Sequence, residues 1–246
     1  MLSKNEIKYI QSLKAKKQRH EAGVFIAEGP KIIEELIRQH AASVIKVFGL
    51  LSFFKEIPSS VLSKINHVVI SEAELERISM LQAPQQCLAL VHLKEQAFEP
   101  FVAGSWSLML DSIQDPGNLG TIIRIADWFG IEHIYASADT ADCFNPKVVQ
   151  ATMGSLFRVK MMYGPCEQWL QTHQPACYIT AMQGKSIWET DAISPGVIII
   201  GNEGKGVSAA LAAHATGSMS IPKLGGAESL NAAVATGIIL SHVLQP

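Results

Sequence analysis

The chain has few of the residues that would mark a metal centre or a disulfide scaffold. Its 246 residues hold four cysteines (Cys87, Cys143, Cys166 and Cys177), none in a CxxC pair, and eight histidines without HxxxH or HExxH spacing. No structural metal is expected, and the thiols read as small buried apolar groups in a reducing compartment. Long hydrophobic runs are missing as well. The stretch Val197 to Ile200 has the length of a buried strand, far short of a membrane span. The first twenty residues carry charges where a secretion signal needs an apolar stretch. A soluble, unexported, cytoplasmic protein with no membrane partner is the expectation. Charge of one sign is also lacking: the net charge is −2, which argues against a protein that coats nucleic acid through bulk charge. Neither a GxGxxG fingerprint with a downstream acidic residue nor a GxxxxGK[ST] phosphate loop occurs.

Apolar content and alternation are plentiful. With 48% hydrophobic residues, the chain can hold one large or two modest domains. Its charge is uneven: residues 1–100 carry 13 Lys and Arg against 11 Asp and Glu, whereas residues 101–246 carry 7 against 11. Lys4, Lys8, Lys14, Lys16, Lys17 and Arg19 oppose only Glu6 before residue 20, a local basic patch. Helical spacing covers residues 3–20. Strands are expected at 24–27, 44–50, 67–70 and 87–93, and helices at 31–39 and 72–80. Residues 96–105, with Pro100 and Gly104, read as a linker between a small domain (1–95) and a larger one (106–246). In the larger domain, strands at 107–110, 133–136, 158–162, 178–182, 197–200 and 218–221 alternate with helices at 119–129, 146–156, 166–173 and 229–244. Gly130 reads as the C-cap of the first helix. This alternation predicts βαβ units and a mostly parallel sheet.

Three turns in this half follow apolar strands and would emerge at one edge of the sheet, where a parallel α/β fold places its ligand. The first, Asp115 to Gly120, opens a helix. Its N–H groups suit an anion or a polar ligand edge, with Asn118 as a simple helix cap the alternative. Arg124 lies amid Ile122, Ile123, Ile125 and Ala126. It is therefore expected to be buried and to need a partner, such as an interface or a substrate phosphate. The second turn, Gly201-Asn202-Glu203-Gly204-Lys205-Gly206, would let a nucleotide approach bare backbone; a tight turn needing positive φ is the alternative. The third runs from Ile221-Pro222 through Gly225-Gly226 to Glu228-Ser229-Leu230-Asn231, then into a helix of small residues. Ser229 as an N-cap and dense helix packing are its structural alternatives. Lys14, Lys16, Lys17 and Arg19 are either phosphate contacts or one solvated helix face.

In this order the three segments resemble the signature motifs of the SpoU (TrmH) family, S-adenosylmethionine-dependent RNA ribose 2′-O-methyltransferases of the SPOUT superfamily. Asn118, Gly120 and Arg124 match N-x-G-x-x-x-R, Glu203 resembles the acidic residue of the second motif, and Ile221 to Asn231 is similar to I-P-x-x-G-x-x-x-S-L-N. Asn202 stands where the family often has Ser, and Lys223 where it usually has Met. Val148 to Arg158 resembles a further family stretch, and Lys14 to Gly29 looks like the opening of the small α/β substrate-binding domain that precedes many SpoU enzymes.

The resemblance implies an α/β fold with a C-terminal, trefoil-knotted parallel-sheet methyltransferase domain. It also implies a homodimer with active sites at its interface, S-adenosylmethionine as cofactor, and structured RNA as substrate, rRNA ahead of tRNA. The implied catalytic set is Asn118, Arg124, Glu203, Ser229 and Asn231. The implied cofactor set is Gly201, Asn202, Gly204, Ile221, Leu230 and Asn231. Arg124 would hold a phosphate or stabilise alkoxide charge, while Asn118, Ser229 and Asn231 fix the ribose and order the loops. Glu203 would orient Arg124 or a loop amide. Two other readings remain: a Rossmann-type nucleotide enzyme, which would have to bind NAD, and a non-catalytic RNA-binding protein retaining the fold, which would not bind the cofactor.

Overall fold

A computed structural model of the chain describes residues 1–189 and 193–244. The chain forms two units: residues 1–94 with 144–154, and residues 95–143 with 155–246. The last two residues of the expected larger domain lie outside the described residues.

The first unit opens with two helices, α1 (Lys4–Ser12) and α2 (Lys16–Ala22). There follow β1 (Val24–Glu28), α3 (Pro30–Gln39), β2 (Val44–Gly49), α4 (Leu51–Glu56), α5 (Ser59–Leu62), β3 (His67–Val69), α6 (Glu72–Ile78) and β4 (Cys87–His92). The four strands pair in the order β1-β4-β2-β3, antiparallel on both sides of β4 and parallel between β2 and β3. Central β4 is buried over Cys87 to Val91, so it reads as a continuous apolar run.

The single helix expected over residues 3–20 is in fact broken, because Leu13 caps α1 and Ala15 is extended. The two short helices after β2 carry no periodic pattern long enough to announce them. Capping boxes start α1 and α6. Ser3 Oγ accepts from the Glu6 N–H (3.1 Å) while Glu6 accepts from the Ser3 N–H (3.0 Å), and Ser71 with Glu74 repeats the arrangement. Glu74 also accepts from the Leu2 N–H at 2.6 Å.

These backbone hydrogen bonds hold both carboxyls at about 2, against an ordinary 4.5. A depressed folded-state value gives stability that is present above pH 4.5 and lost as pH falls toward 2. Replacing both by glutamine is expected to lower the melting temperature at pH 7 and to flatten its decline across that acid window. A melting series over pH for both proteins checks it.

The second unit holds β5 (Ser107–Leu110), α7 (Pro116–Trp128), β6 (His133–Ala136), β7 (Lys160–Tyr163), α9 (Cys166–His173), β8 (Cys177–Ser186), β9 (Val197–Ile200), α10 (Ala209–Ala212), β10 (Gly217–Ser220) and α11 (Ala232–Val243). One helix within this span of sequence, α8 (Pro146–Thr152), clusters with the first unit, where it packs on β1. It stops at Thr152 rather than 156, because Met153 (φ 51°) and Gly154 (φ 95°) turn left-handed.

The six strands pair in parallel throughout, in the order β10-β8-β9-β5-β6-β7. Every residue of β5 and β9 is buried, which explains the unbroken apolar runs Leu108–Leu110 and Val197–Ile200. The pairing of β8 with β10 jumps from Ile179 to Lys185, so residues 180–184 bulge from the ladder. Gly130 (φ 71°) closes α7 as expected: its N–H donates to Asp127 O and that of Ile131 to Ala126 O.

Residues 96–105 contain neither helix nor strand, but they are fastened to the second unit. Trp169 Nε1 donates to Glu99 O (2.8 Å) and Tyr135 OH to Pro100 O (3.1 Å), with the Phe98 and Phe101 rings edge-on to Trp169. No helix among the described residues is long and apolar enough to cross a membrane.

Candidate active site

All six strands run the same way, so the segments after β5, β9 and β10 leave from one edge of the sheet. From β5 the chain first fills the β6-β7 side and later returns to the β8-β9-β10 side, which makes β5 and β9 neighbours at the reversal. In parallel sheets a reversal of this kind opens the crevice that takes a ligand.

Three side chains, one from each segment, meet there. Asn118 Nδ2 donates to Glu203 Oε1 at 2.6 Å, and Asn118 Oδ1 accepts from Asn231 Nδ2 at 2.7 Å. Asn231 Oδ1 in turn accepts from the N–H groups of Ala233 and Val234, capping α11. The result is a directed chain of donors from a helix N-terminus through two amides to a carboxylate, in which each bond polarises the next.

The local caps differ from the simplest sequence alternatives. Asp115 caps α7, accepting from the Asn118 N–H at 2.8 Å, with Pro116 in the first turn. Asn118 is thereby free to use its side chain across the loops. At the other helix Asn231, not Ser229, is the cap, so α11 begins at Ala232 rather than 229. Ser229 is exposed and lies outside the amide network, while Ile221 is half-buried and Leu230 is 47% exposed.

Of the partners expected for Glu203, Arg124 or a loop amide, it accepts from an amide, that of the Asn118 side chain. The expected burial of Arg124 is wrong. Helix α7 is one-sided: Leu119, Ile122, Ile123 and Ala126 face inward at helical spacing, and Arg124 falls on the opposite stripe with Thr121 and Trp128. Trp128 is 85% exposed there. The Arg124 guanidinium makes no hydrogen bond or ion pair among the described residues.

The loop after β9 is closed by two backbone bonds, Asn202 N–H to Gly206 O (3.0 Å) and Gly206 N–H to Asn202 O (2.8 Å). A Cβ on Gly201 would lie 2.2 Å from Gly206 C and 2.3 Å from Val207 N, so only glycine fits. Gly206 has φ 70°. Asn202 shapes the loop from within: Oδ1 accepts from the Gly204 and Lys205 N–H groups, and Nδ2 donates to Ser112 O at 2.9 Å. The Gly204 amide is thus engaged inside the loop. Asp111, absent from the sequence-based set, is buried and accepts from the Ser208 N–H at 2.7 Å. A carboxylate directly after a buried strand carries no spacing signal of its own.

In the first unit Lys14, Lys16 and Lys17 are exposed, and Lys17 pairs with Glu21 at 3.7 Å. Arg19 departs from the expected basic face. It is 1% exposed, and Nη1 donates to Leu13 O (2.9 Å) and Lys14 O (2.8 Å), carbonyls that the break between α1 and α2 leaves open. It secures the turn that carries the lysines instead of facing solvent. The described residues contain no group of three His, Cys, Asp or Glu able to hold a metal ion.

Residues 105–241 match the model of the SpoU rRNA Methylase family, and residues 4–89 match that of the MRM3-like substrate binding domain. The 23S rRNA (guanosine(2553)-2′-O)-methyltransferase of Bacillus subtilis is 32% identical, the match covering 98% of this chain and 97% of that protein. A TrmH-family structure from Porphyromonas gingivalis superimposes with a TM-score of 0.84 at 34% identity, over 99% of this chain and 98% of the other. The AdoMet-bound rRNA methyltransferase of Sinorhizobium meliloti gives 0.86 at 29% identity, over 99% and 95%.

Proposed function

Since the chain belongs to the SpoU rRNA methylase family, we propose that the amide chain from Asn231 through Asn118 to Glu203 is the frame of a ribose 2′-O-methylation site. The enzyme uses S-adenosylmethionine and acts on RNA, with rRNA favoured over tRNA. The observation that carries the residue assignments is the meeting of Asn118, Glu203 and Asn231, residues far apart in sequence, at the carboxyl edge of the parallel sheet.

The edge suits a cofactor with an adenine ring, a ribose and a charged amino-acid tail. The loop at Gly201–Gly206 presents bare backbone, Gly225 and Gly226 have open space around them, and Leu230 offers an apolar surface. Gly201, Ile221 and Leu230 would line its place, with Asn202 and Gly204 shaping the loop and Asn231 tying it to Asn118. When bound, the cofactor supplies an electrophilic methyl group. The protein must hold the 2′-hydroxyl in line with it and ease loss of the hydroxyl proton. A guanidinium offers donors and no acceptor, so Arg124 does not take that proton. Its role is to hold the adjacent phosphate or to stabilise developing alkoxide charge, with the proton passing to a phosphate oxygen or water. Asn118 and Ser229 hold the ribose, and Glu203 fixes the Asn118 amide.

Two copies would pair over the outer faces of α7 and α11, where Trp128 (85% exposed) and Val234 (51% exposed) are apolar and uncovered. That places exposed Arg124 at an interface. A trefoil-knotted C-terminal domain belongs to the same reading, as does phosphate contact by Lys14, Lys16 and Lys17. Trp128→Glu is expected to yield a monomer with little activity, read by sedimentation and methyl transfer; an unchanged dimer would exclude this face.

The activity itself is tested with labelled S-adenosylmethionine on unmodified ribosomal and transfer RNA, followed by alkaline digestion. Label in alkali-resistant dinucleotides of rRNA is expected, because a blocked 2′-hydroxyl protects the next phosphodiester. Label confined to mononucleotides would move the target to a base and defeat the proposal.

A further inference from the structure

Two consecutive residues after β5 hold both ends of the loop after β9: Asp111 takes the Ser208 N–H, and the Ser112 carbonyl takes Asn202 Nδ2. Ser112 does so from a left-handed backbone, φ 59°, which a serine keeps only where its surroundings enforce it. The enforcement comes from the segment after β6. The Ser112 N–H donates to Ser137 Oγ at 2.9 Å, Ser137 Oγ donates to Asp139 Oδ1 at 2.6 Å, and Ser112 Oγ donates to Asp139 Oδ2. The Asp139 carboxyl is held below its ordinary range, first by the Ser112 hydroxyl, then by that of Ser137, with Lys205 of the loop adding positive charge nearby.

We propose that Ser112 and Asp139 are positioning residues for the cofactor. The carboxylate fixes Ser112 in its left-handed turn, the Ser112 carbonyl fixes Asn202, and Asn202 fixes the loop from Gly201 to Gly206. The inference rests on assigning that loop to S-adenosylmethionine. Neither residue belongs to the Asn118–Glu203–Asn231 frame, so the pair acts on cofactor affinity and not on the chemical step.

The test compares the full-length protein with Asp139→Ala, Asp139→Asn, Ser112→Ala and Ser112→Gly. Affinity is measured by calorimetric titration with S-adenosylmethionine, and turnover with saturating RNA. Asp139→Ala is expected to raise Kd and KM for S-adenosylmethionine about 10-fold, as for a lost hydrogen bond to a charged group, with kcat within about twofold. Asp139→Asn keeps one acceptor oxygen for two hydroxyls and should recover part of the loss. The glycine variant accepts φ 59° without strain but has no hydroxyl, so it should bind as weakly as Asp139→Ala. Combining Ser112→Ala with Asp139→Ala should weaken binding no further than Asp139→Ala alone, since that variant already breaks the Ser112–Asp139 contact.

Asp139 is exposed, so its variants should melt close to the parent. Wild-type affinity in Ser112→Gly, or a fall in kcat at unchanged KM in Asp139→Ala, would overturn the pair's role. A parent protein that binds no S-adenosylmethionine would instead defeat the loop assignment on which the inference stands.

Discussion

Arg124→Ala is expected to lower kcat by roughly 100-fold or more, the scale seen when a preorganised donor to a developing oxyanion is removed. Cofactor affinity and melting temperature should stay close to those of the parent. The structural reason is that Arg124 contributes nothing visible to the fold: it stands on the outer stripe of α7, exposed and without an ion pair among the described residues. A cation left uncommitted on the helix that carries Asn118 is free to serve a substrate. Arg124→Lys should recover only part of the rate, because a lysine keeps the charge but loses the planar fork that grips a phosphate. Single-turnover methyl transfer with calorimetric cofactor binding checks both. Unchanged turnover in Arg124→Ala would remove the residue from the mechanism.

Gly201→Ala is the second large effect, and it acts through the backbone. A Cβ 2.2 Å from Gly206 C and 2.5 Å from Gly206 O cannot be accommodated by a side-chain movement, because the atoms it meets are main chain. The loop must open, breaking the paired bonds between Asn202 and Gly206. Overpacking of this kind costs a few kcal/mol, so a loss of about 10- to 100-fold in S-adenosylmethionine affinity is expected. Gly204→Ala separates the backbone clash from the ligand contact: its nearest neighbour in the loop would be Asn202 Oδ1 at 3.6 Å, so it should leave the loop's own fold intact. Wild-type affinity in Gly201→Ala would show that the loop does not hold the cofactor.

Much of this site was legible because its parts are punctuated. Buried strands such as Val197–Ile200, glycine-bearing turns and amphipathic helices are local properties, and the six-strand alternation follows from them. The resemblance to SpoU enzymes then picked out Asn118, Glu203 and Asn231, which the structure joins. What stayed hidden depends on direction or on distant partners. Arg124 sits between apolar neighbours in sequence but on the far side of its helix, and adjacency in sequence does not amount to burial. Arg19 looked like one more cation in a basic run, yet it answers carbonyls opened by a helix break that periodicity does not register. Ser112 and Asp139 have no motif, because their relation is a single contact across 27 residues between two loops. The bulge in β8 is likewise a matter of pairing register, which only the neighbouring strand determines.

The bond between Asn231 and Asn118 spans 113 residues and closes the frame from its C-terminal side. On the ribosome, Asn118 is synthesised long before Asn231, and the start of α11 that orients Asn231 is made later still. A nascent chain that has displayed its first two motif loops therefore has no assembled site. Competence arrives only once α11 is made, so an enzyme truncated before residue 232 would be inert at birth rather than merely unstable.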